Sequence, residues 1–86
     1  MLDKVKTALR VTTTAYDVEI EDYIDAAKLD LGLAGVDSGY EDALMRKAII
    51  TYCKMSFGLP EDYDKLKGAY DEQKAQLKIA TAYRSE

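Results

Sequence analysis

Few side chains in this sequence have the types and spacing that catalysis or metal binding requires. The chain has no histidine and a single cysteine, Cys53, so it lacks an imidazole base and cannot form an internal disulfide. Zinc, iron–sulfur and copper sites would lack their usual ligands for the same reason. The sequence also has no glycine-rich phosphate loop and no motif of a nucleophilic serine or cysteine. We therefore predict that the protein is not an enzyme and uses neither a cofactor nor a metal.

The remaining acidic and thiol groups have simpler structural interpretations. Carboxylate pairs such as Glu21 with Asp25 arise by chance in an acidic helix, and no pocket that would raise a pKa is evident in the sequence. The turn at residues 35–39 contains Asp and Gly, but its oxygen ligands do not follow the spacing of an EF-hand calcium loop. Cys53 lies in an apolar segment, where we expect it to act as a small buried hydrophobic residue.

Charge is distributed unevenly along the chain. The net charge is -4, yet residues 16–42 contain nine acidic residues and one lysine, whereas residues 43–57 contain three basic residues and no acidic one. A net-negative chain without a basic cluster is poorly suited to gripping nucleic acid, because that affinity comes from neutralising phosphates. The acidic block is either a solvated helix face or a surface for a partner.

The apolar segment at residues 43–58 is predicted to be the central helix of the fold. At about 100° per residue, Lys47, Thr51 and Lys54 form one narrow polar line on this helix, and apolar residues cover most of its remaining circumference. A helix that is apolar on most sides must be surrounded by other elements.

Start and stop signals bound this central helix. Ser38 and Glu41 have the spacing of a capping box before it, and Gly58 followed by Pro60 is typical of a helix end.

Three amphipathic helices are predicted to pack around the central one. They span about residues 2–9, 15–34 and 61–82. Thr14 is the expected N-terminal signal of the second helix, and Gly35 is its expected left-handed C-terminal residue. The fold class is therefore all-α: a small bundle of about four helices, with an apolar central third helix and a short N-terminal helix.

The two long outer helices each have a stripe that should face the core. The predicted stripes are Tyr16, Ile20, Ile24, Ala27 and Leu31 in the second helix and Tyr63, Leu66, Tyr70, Gln73 and Leu77 in the last. Gln73 is polar among apolar neighbours, so we expect it to be half exposed or hydrogen-bonded, with partner selection as the less common alternative.

The opposite face of the second helix mixes apolar and acidic residues. It consists of Val18, Asp22, Asp25, Leu29 and Leu33. Single exposed Leu and Val residues are ordinary in a monomer, so this face is either solvated or in contact with another subunit.

The length of the chain bounds its organisation and stability. The 86 residues predict one domain over residues 1–86, and so short a chain buries only roughly 60–65% of the surface that its unfolded form exposes. The single cysteine is consistent with a reducing cytoplasm. We find no stretch with the features expected of a membrane span or a signal peptide. We expect a soluble, marginally stable protein that gains stability from a partner and does not associate with membranes.

Several blocks of the sequence carry a resemblance to a known family. The blocks are LDKVKTALRV, DVEIEDYIDAAKLDL, ALMRKAIITYCKMSFG and AYDEQKAQLKIATAY, which cover nearly the whole chain in the expected order. The sequence resembles the small head–tail connector proteins, also called adaptor or head-completion proteins, of long-tailed bacteriophages and of prophages of Gram-positive bacteria.

This resemblance implies a structural role in virion assembly. Such proteins form a ring of about a dozen subunits under the portal protein, extend the channel used in DNA packaging and present a docking surface for the next connector or tail-completion protein. DNA passes through the channel without specific binding. The implied location is the head–tail junction of the virion, with assembly in the host cytoplasm from subunits that can be monomeric until the portal templates the ring.

A closed ring needs two different complementary faces on each subunit. The charge distribution predicts that the mixed face of the second helix (Val18, Asp22, Asp25, Leu29 and Leu33) meets basic residues of a neighbour. The candidates, on the first and third helices, are Lys4, Lys6, Lys47 and Lys54. By position in the family, the residues after Leu77 are candidate portal contacts, namely Ile79, Tyr83 and Arg84.

Two other classes of function remain open at this point. The first is a small helical DNA-binding domain, although the carboxylates on the second helix argue against a recognition helix. The second is a helical protein-interaction module that pairs with a single partner. A shift of labelled duplex DNA at low salt would favour the first, and electron microscopy distinguishes a ring former from the second.

Overall fold

The computed structural model of this protein describes residues 1–36, 43–58 and 60–84, and for Pro60 and residues 81–84 it describes the backbone only. Within these ranges the chain forms four α-helices and no strand, which confirms the predicted all-α class. The helices are α1 (Leu2–Leu9), α2 (Asp17–Leu33), α3 (Ala43–Phe57) and α4 (Tyr63–Arg84), with a short 3₁₀ helix at Pro60–Asp62 before α4.

The short helix α1 is held by docking, since two turns alone are marginal in water. Its apolar side packs on α2 and α3, and Val5 is fully buried. The helix ends at Arg10, whose φ of 60° is left-handed, and the Val11 N–H donates to the Lys6 carbonyl at 2.9 Å. A non-glycine residue in this conformation closes the helix at a small cost in backbone strain.

The second helix begins later than predicted. Its first residue is Asp17, and no side-chain cap is formed at Tyr16, the residue before it. The expected cap at Thr14 is therefore wrong: the Thr13 hydroxyl instead accepts a hydrogen bond from the Ala15 N–H at 3.2 Å, so the preceding threonines form a turn of their own.

The end of α2 matches the prediction. Gly35 has a φ of 90°, and the Val36 N–H donates to the Leu31 carbonyl at 2.9 Å. This is the Schellman arrangement, and its usual apolar contact is supplied by Val36 and Leu31, both of which are buried.

The core stripe of α2 is correct except at its first residue. Ile20, Ile24, Ala27 and Leu31 are buried, whereas Tyr16 is 45% exposed. Tyr16 lies where the chain enters α2, and its ring packs edge-on against Phe57 with centroids 5.4 Å apart. It therefore covers the end of α3 instead of entering the core.

The third helix contacts each of the other three helices. Its fully or nearly buried side chains include Met45, Ala48, Ile49 and Cys53. The predicted polar line is wrong at Thr51, which is only 8% exposed because its hydroxyl donates to the Lys47 carbonyl at 2.9 Å and so needs no water. The predicted capping box at Ser38 and Glu41 lies outside the described residues.

The last helix begins at Tyr63, after the 3₁₀ turn, and buries Tyr70 and Leu77 from its predicted stripe. Tyr63 is 43% exposed because it lies in the first turn, beyond the core. Gln73 is half-buried, and its Oε1 atom is enclosed without a hydrogen-bond partner in the described part of the chain.

The turn between α3 and α4 should depend on Gly58. A Cβ atom at this position would lie 2.5 Å from the Lys54 carbonyl oxygen, a backbone atom that cannot move aside. We expect Gly58→Ala to lower the free energy of unfolding by about 1–3 kcal/mol in urea titrations. Gly68 is the matched control, because a Cβ there meets nothing within 4 Å, and Gly68→Ala should raise stability by about 0.5–1 kcal/mol. Equal effects of the two substitutions would contradict this role of Gly58.

Candidate interaction surface

The second helix has two faces of different character. Its buried side contributes Ile20, Ile24, Ala27 and Leu31 to the core. On the opposite side lies the set that we call the outer face of α2: Val18, Asp22, Asp25, Leu29 and Leu33, all exposed. The exposed fractions of its aliphatic members are 74% for Val18, 66% for Leu29 and 82% for Leu33.

The outer face of α2 exposes more apolar surface than is expected of a helix face that only contacts water. Its three large aliphatic side chains lie on a single stripe, because residues separated by three and four positions share a helix face. The two aspartates lie within the same stripe, so the face is apolar with negative charge inside it. A continuous mixed stripe of this kind suits a contact with an apolar and basic surface.

The candidate basic residues differ in how available they are. Lys4 on α1 and Lys47 on α3 are exposed, and Lys54 is half-buried near the end of α3. Lys6 is already used within the chain: its Nζ lies 2.7 Å from Asp17 Oδ1, and its side chain is only 15% exposed. The sequence could not reveal this pair, because it depends on how α1 docks beside the start of α2.

A polar cluster fastens α2 to α4. The Tyr70 phenol donates to Asp30 Oδ2 at 2.6 Å, and Lys74 Nζ donates to the same oxygen at 3.2 Å while lying 5.0 Å from the centre of the Tyr70 ring. The Tyr70 hydrogen bond and Lys74 hold the pKa of the Asp30 carboxyl below its ordinary value. Burial and the bond to Asp30 raise the pKa of the Tyr70 phenol, so it stays a donor at neutral pH.

This cluster lies next to the outer face of α2 along the chain. Asp30 follows Leu29 in sequence and is bonded to Tyr70 and Lys74 of α4. The Tyr52 ring packs edge-on against Tyr70, with centroids 5.4 Å apart, and so extends the contact to α3. Sequence analysis missed the cluster because its members are separated by 40 or more positions along the chain.

Among the described residues, no set of three or more Cys, Asp or Glu side chains is arranged to hold a metal ion. None of the helices in the described ranges combines the length and apolar character that a membrane crossing requires.

Cys53 is a fully buried thiol, as predicted. Burial raises its pKa to about 12, so little thiolate exists at neutral pH. We expect a thiol reagent to label Cys53 at pH 8 at least about a thousandfold more slowly in the folded protein than in urea, at a rate limited by opening of the helices. A free-thiol peptide under the same conditions is the control, and rapid labelling of the folded protein would contradict the burial of Cys53.

The end of α4 carries the predicted portal contacts. Ile79 is 61% exposed, and Leu77 is the last fully buried side chain among the described residues. Tyr83 and Arg84 belong to the helix, and their side chains lie outside the described part.

Two open grooves lie beside the candidate interaction residues. The first, which we call the end groove, has a volume of about 350 Å³ and lies where the ends of α1 and α3 meet the start of α4. The end groove is lined by Ala8, Leu9, Lys54, Gly58, Asp62, Lys65 and Leu66. The second groove, of about 410 Å³, lies between α1 and α2 and is lined by Met1, Leu2, Glu21, Ile24 and Asp25.

Sequence reasoning found only part of these grooves. Lys54 and Asp25 were among the candidate interface residues, but Lys65 was not. Helical periodicity assigns residues to faces of one helix and cannot tell which helix ends meet. The end groove arises from that meeting.

Comparison with known proteins identifies the family of the chain. Residues 1–84 match the family model described as "Phage connector protein". No curated protein and no solved structure matches the chain significantly. The match covers nearly the whole chain and agrees with the all-α fold and with the resemblance noted in the sequence. The chain therefore belongs to the phage connector protein family and is a phage head–tail connector.

Proposed function

We propose that this protein forms a ring of about a dozen subunits under the portal protein, where it extends the DNA channel. In such a ring each subunit uses one face toward the neighbour on one side and a different face toward the other, and closure follows when the rotation between subunits completes a circle. Proteins of the phage connector family have a structural role, which agrees with a function in assembly.

The observation that carries the proposal is the outer face of α2. Three large aliphatic side chains with exposed fractions of 66–82% lie on one stripe of a helix whose opposite side is fully buried. A monomer gains nothing from this arrangement, and covering these side chains in a subunit contact gives roughly 25 cal/mol per Å² of apolar surface removed from water.

Charge supports a contact between unlike faces. Asp22 and Asp25 lie within the outer face of α2, and Lys4, Lys47 and Lys54 are the basic residues that we propose for the facing surface of a neighbour. Lys6 is omitted, because its ion pair with Asp17 occupies it within the subunit. Such charge pairs set the orientation of the subunits and the choice of partner. Salt weakens them, because the screening length of dissolved ions is about 8–10 Å at moderate ionic strength.

We propose that the end of α4 contacts the portal. The helix has 22 residues and its neighbour α3 has 15, so α4 is longer by about 10 Å at 1.5 Å per residue. Its exposed Ile79 offers an apolar contact beyond the last fully buried residue of the described helix. The next connector or a tail-completion protein would then dock on the opposite side of the ring.

A net-negative protein is suited to line a DNA channel. With a net charge of -4, the subunit offers few sites that would retain a moving duplex. In this proposal DNA passes through the ring without specific binding, and the protein acts at the head–tail junction after assembly in the host cytoplasm.

Sedimentation velocity and negative-stain electron microscopy of the chain, alone and with its portal protein, test the proposal. We expect a ring of about a dozen subunits on the portal, while the chain alone can remain monomeric because the contacts become strong only when the ring closes. A one-to-one complex with a single partner would instead favour the interaction-module alternative. Retardation of labelled duplex DNA at low salt would favour the DNA-binding alternative.

A further inference from the structure

The end groove is an apolar depression with charged walls. Leu9 at the end of α1 and Leu66 in the first turns of α4 are half-buried, and Ala8 completes the apolar lining. Gly58, in the turn after α3, also lines the groove. The volume of about 350 Å³ lies within the range of roughly 300–1,000 Å³ typical of binding pockets, so an aliphatic anchor can enter the groove.

The charges around the end groove favour an acidic occupant. Its lining has two lysines, Lys54 and Lys65, and one aspartate, Asp62. An occupant that matches this groove has an exposed aliphatic side chain with carboxylates within two helical turns of it on the same face.

The outer face of α2 has this composition. Leu29 is 66% exposed, and Asp25 and Asp22 lie one and two turns before it on the same stripe. No residue of α2 lines the end groove, so the outer face and the groove are separate surfaces of one subunit.

We propose that the end groove receives the outer face of α2 from the neighbouring copy, with Leu29 as the anchor and Asp22 and Asp25 facing Lys54 and Lys65. This inference rests on the proposed ring and specifies which two surfaces form its repeating contact. Because the donor and acceptor surfaces differ, each subunit can engage two neighbours, as closure of a ring requires. Lys65 thereby becomes an interface residue, whereas Lys4 and Lys47 do not line the end groove and are not part of this contact.

Lys65 and Lys67 provide a matched pair of substitutions. Both are exposed lysines on α4 two positions apart, so they point to different sides of the helix. Lys65 lines the groove, and Lys67 instead pairs with Asp71 of its own helix at 3.0 Å. We expect Lys65→Glu to weaken ring assembly on the portal by about tenfold or more, and Lys67→Glu to leave it unchanged within about twofold.

A cysteine cross-link tests the contact directly. The Leu29→Cys and Lys65→Cys variants are mixed on the portal under mild oxidation, and Cys53 can remain because it is buried. We expect a disulfide-linked dimer of the two variants, and a ladder of higher multimers from the doubly substituted chain. A pair of Leu29→Cys with Lys67→Cys should give neither product.

The outcomes separate this inference from the ring itself. Rings that form without the 29–65 cross-link, with Lys65→Glu and Lys67→Glu behaving alike, would overturn the groove assignment and leave the proposed function standing. Absence of any ring from the unmodified chain with its portal would overturn both. Circular dichroism of each variant establishes that its helices remain folded.

Discussion

Leu31→Ala is expected to lower the free energy of unfolding by about 2–5 kcal/mol, and Leu33→Ala to leave it within about 0.5 kcal/mol. The two leucines lie two positions apart on α2, but Leu31 is fully buried and Leu33 is 82% exposed. Truncating Leu31 leaves a cavity in a domain whose whole stability is about 5–15 kcal/mol, so the variant should be partly unfolded at 37 °C. Urea titration followed by circular dichroism measures both effects.

The same two variants should differ in how they affect ring assembly. Leu33→Ala removes an apolar group from the outer face of α2, so it should weaken ring formation on the portal while its folding stays intact. Leu31→Ala should affect assembly only as far as it unfolds the subunit. If Leu33→Ala destabilised the monomer as strongly as Leu31→Ala, the division of α2 into a core face and an assembly face would be wrong.

Reversing the charge of Asp22 and Asp25 to lysine is expected to abolish ring assembly at moderate salt. Both residues are exposed on α2, and the reversal would juxtapose like charges in each subunit contact of the ring, which typically costs several kcal/mol. The monomer should remain folded, because neither residue contributes to the core. Sedimentation with the portal measures assembly, and thermal unfolding checks the fold.

A matched control and a rescue sharpen this test. Asp71→Lys with Glu72→Lys makes the same change in charge on exposed positions of α4 and should leave assembly close to normal. Combining Asp22→Lys and Asp25→Lys with Lys54→Glu and Lys65→Glu should restore part of the assembly, because lysines on α2 would then face glutamates at the end groove. Unchanged assembly of the Asp22→Lys, Asp25→Lys variant would remove these residues from the contact.

The sequence alone predicted the features that depend on local periodicity. The bounds of α1 and α3, the left-handed Gly35 and the buried stripe Ile20 to Leu31 all follow from spacing along one helix and from residues that end helices. The exposure of Val18, Leu29 and Leu33 also agrees with that periodicity.

Features that depend on how helices meet could not be predicted. The pair of Lys6 with Asp17, the bond of Tyr70 to Asp30 and the end groove each join residues whose proximity is set by packing between helices. Thr51 was assigned to a polar line because periodicity treats a hydroxyl as polar. Its hydrogen bond to the Lys47 carbonyl instead allows the hydroxyl to be buried inside the bundle.

In the proposed ring, α2 uses one face to fold the subunit and the opposite face to join it to its neighbours. A cryo-electron map of the connector bound to its portal tests this most directly. We expect a closed ring of about a dozen subunits in which Val18, Leu29 and Leu33 are covered by the adjacent copy. A ring in which these three side chains stay exposed to solvent would contradict the account.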